Sequence, residues 1–167
     1  HGDAVPEELK ILSLDEVLDY LTAAGDYRYI IEIKEGGDVG LAAADQLYKT
    51  LQARDLLDRV IIGSFRDEVA DYITAHYPDT HRSASPDEVL QFYLAALTGK
   101  QDFTCSYDVL QLPFNDAKES YGINLGLVKI INYAHAHDLA IQYWTVNSEK
   151  DMAYLASIGA DALITDY

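Results

Sequence analysis

Short apolar runs of strand length alternate along the chain with segments in which apolar residues recur at helical spacing. This alternation predicts β/α units that build a parallel sheet. The runs are rich in Ile, Val and Leu, as expected for strands that are buried on both faces. The predicted strands span residues 28–34, 60–64, 109–113, 140–146 and 162–165, with a weaker sixth strand near residues 80–84.

Capping patterns mark the starts of several helices. The run Ser85-Pro86-Asp87-Glu88 combines an N-cap residue, a proline at the first helical position and a glutamate three residues after the cap. This combination is typical of a helix N-terminus. Helices are predicted to begin after Ser13, Ser85 and Ser148, and further helices are predicted over residues 39–53, 67–76 and 123–136.

The number of strands raises the main question about the fold. A (β/α)8 barrel takes about 250 residues, whereas this chain has 167. Five or six strands fit either an open, doubly wound sheet or a barrel whose beginning is missing. No linker, repeat or low-complexity segment divides the sequence, so residues 1–167 are expected to form a single domain.

Composition narrows the range of partners. The formal net charge is −16, and binding to nucleic acid or to an anionic membrane needs clustered cations that this sequence lacks. No apolar run reaches the ~18 residues of a membrane span, so no membrane segment is predicted within the chain. The single cysteine, Cys105, excludes an internal disulfide and a Cys-based zinc site. Residues 1–6 carry no signal-peptide pattern, which leaves the compartment open.

Glu32 and Lys34 end the first predicted strand. Side chains alternate between two faces along a strand, so these two share one face and Ile31 and Ile33 share the other. One interpretation is a strand-end salt bridge. The other is a carboxylate that ligates a hard cation beside an ammonium group that binds phosphate. The carboxyl ends of the strands form the active face of β/α barrels, which favours the second interpretation.

Other polar and aromatic residues end the remaining strands. Trp144, the one tryptophan in the sequence, either packs in the core or forms a wall of a polar pocket. Gln111 is either a core amide with its hydrogen bonds satisfied or a pocket residue. Ser64 and Asn147 are candidate helix caps. Asp166 either caps a following helix or holds the loop that would close a barrel.

Together these segments resemble the glycerophosphodiester phosphodiesterase family. The matching pieces follow the family order: LSLDEVLDYL, IIEIK, VIIGSF, VLQLPF, and a final stretch that runs from AIQYWTVN to ITDY. The final stretch is the most specific, because a WTVN strand, a short helix and a strand that ends in ITD form a family signature. The resemblance extends from about Leu12 to Tyr167.

The resemblance implies a (β/α)8 barrel of the TIM type, of which this chain would supply about strands 3 to 8. It implies metal-dependent hydrolysis of glycerophosphodiesters to glycerol 3-phosphate and an alcohol, with Ca²⁺ or Mg²⁺ as the divalent cation. Glu32 matches a metal-ligating carboxylate, and Lys34 matches a lysine that binds the phosphate and acts in catalysis. Trp144 matches a tryptophan in the pocket wall. Gln111 lies at a matching strand end and is predicted to contact the substrate.

The family's N-terminal motifs do not match this sequence. They comprise a strand that ends in His-Arg-Gly, a Glu-x-Asp strand and a His-Asp pair, which hold two catalytic histidines and two metal carboxylates. The run His1-Gly2-Asp3 is too isolated to represent them. The chain alone is therefore expected to be catalytically incomplete, and its open barrel edges would permit self-association. The alternatives are a sphingomyelinase-D-like phospholipase, disfavoured by the WTVN and ITD strings, and a non-enzymatic half-barrel that acts as a binding or scaffold module.

Overall fold

The computed structural model describes residues 11–115 and 122–167, so the segment that contains His1 lies outside the described residues. Strands and helices alternate throughout the described part. The strands are β1 (Tyr29–Ile33), β2 (Val60–Ser64), β3 (His81–Arg82), β4 (Val109–Pro113), β5 (Ala140–Trp144) and β6 (Ala162–Leu163). The helices are α1 (Leu14–Ala24), α2 (Gly37–Gln52), α3 (Asp67–His76), α4 (Pro86–Thr98), α5 (Val128–His135) and α6 (Glu149–Ser157), with a short 3-10 helix at Leu57–Arg59.

The strand pairs are parallel, which confirms the predicted α/β class. Strands β1, β2 and β3 form one sheet in that order, and β4, β5 and β6 form another. The two sheets meet at a parallel β-bridge between Ser83 and Val109. A hydrogen bond of 2.8 Å from the Ala84 N–H to the Val109 carbonyl strengthens this joint. The carboxyl ends of the strands therefore lie on one side of the molecule.

The α/β class alone does not decide whether the strands form part of a closed barrel or an open sheet. Strands β1 and β6 stand at the two ends of the strand order and do not pair with each other within residues 11–115 and 122–167. This order agrees with the expected separation of the two strands, and an open sheet would show it as well. An incomplete barrel, and self-association through its edges, therefore stay predictions.

No helix in the described part of the chain is long and apolar enough to cross a membrane.

The predicted helix starts after Ser13, Ser85 and Ser148 are confirmed. In contrast, the helix predicted to begin at Ile123 begins at Val128. The Asn124 side-chain oxygen accepts a hydrogen bond from the Gly126 N–H at 3.0 Å, a local turn that competes with helix formation. Gly126 also lies so close to the Phe114 ring that a Cβ would not fit there. The segment before α5 is therefore irregular.

Each sheet packs its helices around a separate apolar cluster. Leu51 and Val69 are fully buried in the cluster of the first sheet, and Phe92, Ile130 and Tyr143 are buried in that of the second. Burying a side chain of this size stabilises the fold by about 1.5–3 kcal/mol. Because the two clusters are separate, the contacts at the joint between the sheets carry particular weight.

Arg82 is the main side chain at this joint, and only 2% of it is exposed. Its guanidinium donates to both carboxylate oxygens of Glu88 on α4 at 2.7 Å each. It also donates to Thr74 on α3 at 2.7 Å and to Ser106, ahead of β4, at 2.9 Å. Burial alone would raise the pKa of Glu88, but the hydrogen bonds from Arg82 and from the Ser85 N–H outweigh it and hold the pKa below its ordinary value.

Candidate functional site

A pocket of about 1070 Å³ opens where the carboxyl ends of the strands converge. The four residues that the sequence singled out for a site all line this pocket, although they lie far apart in the chain: Glu32, Lys34, Gln111 and Trp144. Helix α4 and the segment ahead of α5 supply an apolar wall that consists of Val89, Leu90, Tyr93, Ile123 and Leu125. The pocket thus combines a charged edge, an aromatic side and an apolar side.

Glu32 and Lys34 form the charged edge. The Lys34 Nζ lies 2.8 Å from the Glu32 Oε2, and the two side chains are 77% and 33% exposed, respectively. The structure therefore contains the salt bridge of the first interpretation and places it at the pocket as the second requires. An exposed ion pair of this kind contributes at most about 1 kcal/mol to stability. Lys34 can exchange this partner for a bound anion at little cost.

Ser64 fixes the backbone at the same edge. Its hydroxyl donates to the Ile33 carbonyl at 2.8 Å and accepts from the Arg66 N–H at 3.1 Å. The prediction that Ser64 caps the next helix is wrong, because Arg66 occupies the N-cap position of α3. Ser64 lies two positions before that cap, and its hydroxyl joins the ends of β1 and β2. The Arg66 Nε also donates to the Lys34 carbonyl at 3.3 Å, which holds the two strand ends together.

Trp144 and Phe65 form the aromatic side. The Trp144 indole N–H donates to the Gln111 carbonyl at 3.0 Å, so the ring is held against β4. The Phe65 ring meets it edge to face at 5.7 Å between centroids, a favoured aromatic geometry. This contact joins the ends of strands from the two sheets. The sequence analysis named Phe65 only as the last residue of the VIIGSF motif. Its position directly after strand β2 was the signal that could have identified it as a pocket residue.

The floor of the pocket is polar and uncharged. The Gln111 side-chain amide donates to the Gln142 Oε1 at 3.0 Å across the β4–β5 register. Ser83 also lines the pocket. Gln111 is therefore a pocket residue, the second of its two interpretations. Sequence reasoning did not single out Ser83, because it directly follows a strand of only two residues. Gln142 was not singled out either.

Asn147 and Asp166 hold the end of the chain in place. The Asn147 side-chain nitrogen donates to the Asp166 carboxylate at 2.8 Å. Its oxygen accepts from the Asp166 N–H and from the Thr165 hydroxyl, both at 3.0 Å. Asp166 thus holds the loop after β6, and that this loop closes a barrel stays a prediction. Its role lies in this loop, outside the lining of the large pocket.

The oxygen ligands available in the pocket decide whether it fits the predicted metal ion. Glu32 and Asp87 are the carboxylates that line the pocket. Among residues 11–115 and 122–167, no three His, Cys, Asp or Glu side chains are grouped closely enough to hold a metal ion. Ca²⁺ and Mg²⁺ take six or more oxygen ligands, so the described residues alone do not fit a closed site. The metal-ligand role of Glu32 stays a prediction.

Solved structures share this fold. A putative glycerophosphoryl diester phosphodiesterase from Silicibacter pomeroyi DSS-3 superposes with a TM-score of 0.68 at 18% identity, and the match covers 92% of this chain and 52% of that one. A glycerophosphodiester phosphodiesterase from Parabacteroides distasonis ATCC 8503 gives 0.68 at 17%, with 98% and 67% covered. A putative glycerophosphodiester phosphodiesterase from Galdieria sulphuraria gives 0.65 at 18%, with 99% and 68% covered.

At this level of identity, the three solved structures establish the fold alone. A comparison with curated proteins gave no match to the sequence. The chain spans between 52% and 68% of the length of the three solved structures. The family model of glycerophosphoryl diester phosphodiesterases matches residues 1–167 in full. The chain therefore belongs to the glycerophosphoryl diester phosphodiesterase family.

Proposed function

We propose that the pocket binds glycerophosphodiesters and that the chain serves their hydrolysis to glycerol 3-phosphate and an alcohol. The observation that carries this proposal is the Glu32–Lys34 pair, whose ammonium and carboxylate lie 2.8 Å apart at the edge of a pocket of about 1070 Å³. A lysine at this place gives a chain of net charge −16 a local site for an anion. Family membership supports the phosphodiester as that anion.

The pocket residues have distinct proposed roles in this reaction. Hydrolysis breaks the bond between phosphorus and the oxygen of the departing alcohol, and water supplies the new oxygen and the proton of that alcohol. Negative charge grows on the non-bridging oxygens in the transition state, and the Lys34 ammonium stabilises it there. Trp144 and Phe65 exclude water from one side of the substrate. Gln111 contacts the substrate from the floor.

The proposal includes a divalent cation as the cofactor of this hydrolysis. A bound divalent cation would supply Lewis-acid chemistry, and Glu32 would provide one of its oxygen ligands. Because a hard cation needs about six oxygens, water, the substrate phosphate and residues outside the described part of the chain would have to supply the remaining ligands. The steps assigned to Lys34, Trp144 and Gln111 do not depend on the ion.

The metal proposal predicts weak binding by the 167-residue chain. Isothermal titration with Ca²⁺ and Mg²⁺ should give dissociation constants no tighter than about 10⁻³ M, because the donor set is small. Glu32→Gln should remove the binding that is specific to the pocket. Ions held loosely by other acidic residues would remain in this variant. Sub-micromolar affinity of the unchanged chain would show that the site has been mislocated.

Hydrolysis itself tests the proposed function. No histidine lines the pocket within the described part of the chain, and general acid–base catalysis contributes about 10²–10⁴-fold to rates. We expect the chain to release glycerol 3-phosphate from glycerophosphocholine more slowly, by about that factor, than a fusion that adds the family's His-Arg-Gly, Glu-x-Asp and His-Asp segments. The matched control is the same fusion with both histidines changed to alanine.

In the active fusion, Glu32→Gln should remove most of the activity by deleting the ligand charge. Full activity of that variant would refute the assignment of Glu32. A fusion that binds glycerophosphocholine without releasing glycerol 3-phosphate would instead identify the pocket as a binding module, the non-enzymatic alternative.

A further inference from the structure

Helix α4 has an apolar face that points away from the core. Phe92 and Ala96 are buried in the apolar cluster of the second sheet. Elsewhere on the same helix three leucines, here called the leucine stripe, stay about half exposed: Leu90 at 50%, Leu94 at 54% and Leu97 at 45%. A surface helix normally presents polar residues on the side opposite the core. The leucine stripe is therefore an apolar surface for which the chain itself supplies no cover.

The spacing within the stripe is that of a contact between helices. Leu90, Leu94 and Leu97 follow one another at intervals of four and three residues, which keeps all three on one side of the helix. The same intervals recur where two helices pack along a seam. No residue from Val89 to Thr98 carries a charge, so nothing in this part of α4 opposes burial of the stripe.

The position of α4 separates the stripe from the open strand edges. The helix connects β3 to β4, at the joint in the middle of the strand order. Strands added to the two sheets would pair with β1 or β6, at the ends of that order. A barrel completed at those edges would leave the stripe exposed.

The N-terminal end of α4 is acidic. Asp87 is exposed in the first turn and precedes Leu90 by three residues, which places it on the side of the stripe. Its N–H donates to the Asp67 carboxylate at 3.1 Å, so a second carboxylate lies at the same end. Glu88, in the same turn, is neutralised by its ion pair with Arg82.

The C-terminal end of α4 is basic. The Lys100 N–H donates to the Ala95 carbonyl at 3.0 Å, which holds this exposed residue directly after the helix. The Lys129 Nζ donates to the Leu97 carbonyl at 2.8 Å, so a second ammonium group lies at the end of the stripe. Asp102 follows in the same loop, and the two ammonium groups outnumber its carboxylate.

An antiparallel pair of α4 helices brings the leucines and the opposite charges together in one register. A two-fold axis beside Leu94 places Leu90 opposite the partner's Leu97. The same axis places Asp87 opposite the partner's Lys100, and the symmetry repeats each contact. We propose that α4 is the interface of a homodimer in which the leucine stripes of two copies of this chain pack antiparallel.

The size of this interface sets the expected affinity. A pair of 13-residue helices is about 20 Å long and covers less than the roughly 800 Å² per partner of a standard interface. We therefore expect a reversible dimer with a dissociation constant on the order of 10⁻⁵ M. Leu90 and Tyr93 also line the pocket, so the second copy borders the pocket. The dimer does not depend on the proposed function, because it needs neither substrate nor metal.

Sedimentation equilibrium of the full chain measures this dissociation constant. Leu94→Glu places two like charges beside the axis and should raise the constant at least about a hundredfold, because like charges at an interface repel strongly. Val39→Glu is the matched control, since Val39 is 67% exposed on α2 and the variant adds the same charge away from the stripe. It should keep the constant of the unchanged protein. Thermal unfolding of each variant shows whether its fold is retained.

Exchanging the charges at the two ends of α4 tests the register. Asp87→Lys and, separately, Lys100→Glu should each raise the dissociation constant by about fivefold, because each creates two contacts between like charges. The variant that carries both substitutions restores opposite charges and should return to within about twofold of the unchanged protein. These variants leave the stripe intact, so they decide the question even if Leu94→Glu unfolds.

Four other outcomes would overturn the homodimer. The chain could stay monomeric up to about 1 mM, far above the expected constant. Self-association could persist unchanged in a folded Leu94→Glu variant, which would place it at the strand edges or at another surface. The variant with both charge substitutions could fail to recover. Finally, a monomeric chain could bind phosphatidylcholine vesicles through the stripe and lose that binding in Leu94→Glu, which would assign the stripe to a lipid surface.

Discussion

Replacing Arg82 with methionine is expected to lower the free energy of unfolding by about 3–5 kcal/mol. Arg82 is 2% exposed, and its two bonds of 2.7 Å to Glu88 are its strongest contacts. Methionine fills much of the same volume but leaves the Glu88 carboxylate partly buried without its counter-charge. Removing one partner of a buried ion pair costs far more than the pair contributes, because the remaining charge cannot regain its hydration.

A surface ion pair provides the matched control for this prediction. Arg54 lies 2.8 Å from Asp15 and 3.1 Å from Asp19, and both carboxylates are largely exposed. The same substitution, Arg54→Met, should cost about 1 kcal/mol or less because water screens these charges. Urea unfolding of the two variants measures both values. Equal losses would show that the joint between the sheets does not depend on Arg82.

The pH dependence of stability checks the same contact independently. The pKa of Glu88 in the folded protein lies below its ordinary value of 4.5. A lowered pKa in the folded state means that the contribution to stability is present above about pH 4.5 and is lost as the pH falls through the lowered value. In Arg82→Met the carboxylate keeps its burial and loses its main partner. The acid-induced loss of stability between pH 5 and 3 should therefore shrink in that variant.

Predictions of the strands and helices succeeded where a single segment carries its own signal. The apolar runs at Val60–Ser64 and Val109–Pro113 match strands β2 and β4 residue for residue, because strands buried on both faces are apolar throughout. Ser13 and Ser148 begin their helices because the N-cap bond is local to one turn. Helix α5 was predicted too early, since the sequence alone did not reveal the contact between Gly126 and the Phe114 ring.

In the candidate site, too, the sequence predicted what depends on neighbouring residues and not what depends on residues far apart in the chain. Alternation along β1 sufficed to place Glu32 and Lys34 on one face. The position of Gln111 stayed ambiguous, because its partner Gln142 lies 31 residues further along the chain. No local rule pairs two amides at that separation. Arg82 lies in a strand of only two residues, and Ser83 follows it in an isolated bridge. A segment this short has no periodic pattern, so neither the joint between the sheets nor the polar floor could be predicted.

Lys34→Ala is expected to weaken binding of glycerol 3-phosphate by about tenfold, the loss of one charge-assisted hydrogen bond. At pH 8 this ligand carries close to two negative charges on its phosphate, whereas the phosphodiester of glycerophosphocholine carries one. If Lys34 acts mainly through charge, glycerophosphocholine should lose less affinity than glycerol 3-phosphate. Trp144 fluorescence measures both values in the same protein.

The difference in phosphate charge between the two ligands resembles the growth of charge on the phosphate during the reaction. Charge on the phosphoryl oxygens grows toward the transition state, so a lysine that favours the more charged ligand will lower the barrier rather than only the Michaelis constant. In the active fusion, Lys34→Ala should then reduce kcat more than it raises KM.

The control is Lys49→Ala on the exposed side of α2, which should leave both affinities unchanged. Raised salt should weaken glycerol 3-phosphate binding in the unchanged protein more than in Lys34→Ala, because only the former presents the ammonium that salt screens. Equal losses for both ligands would restrict Lys34 to binding and remove it from catalysis.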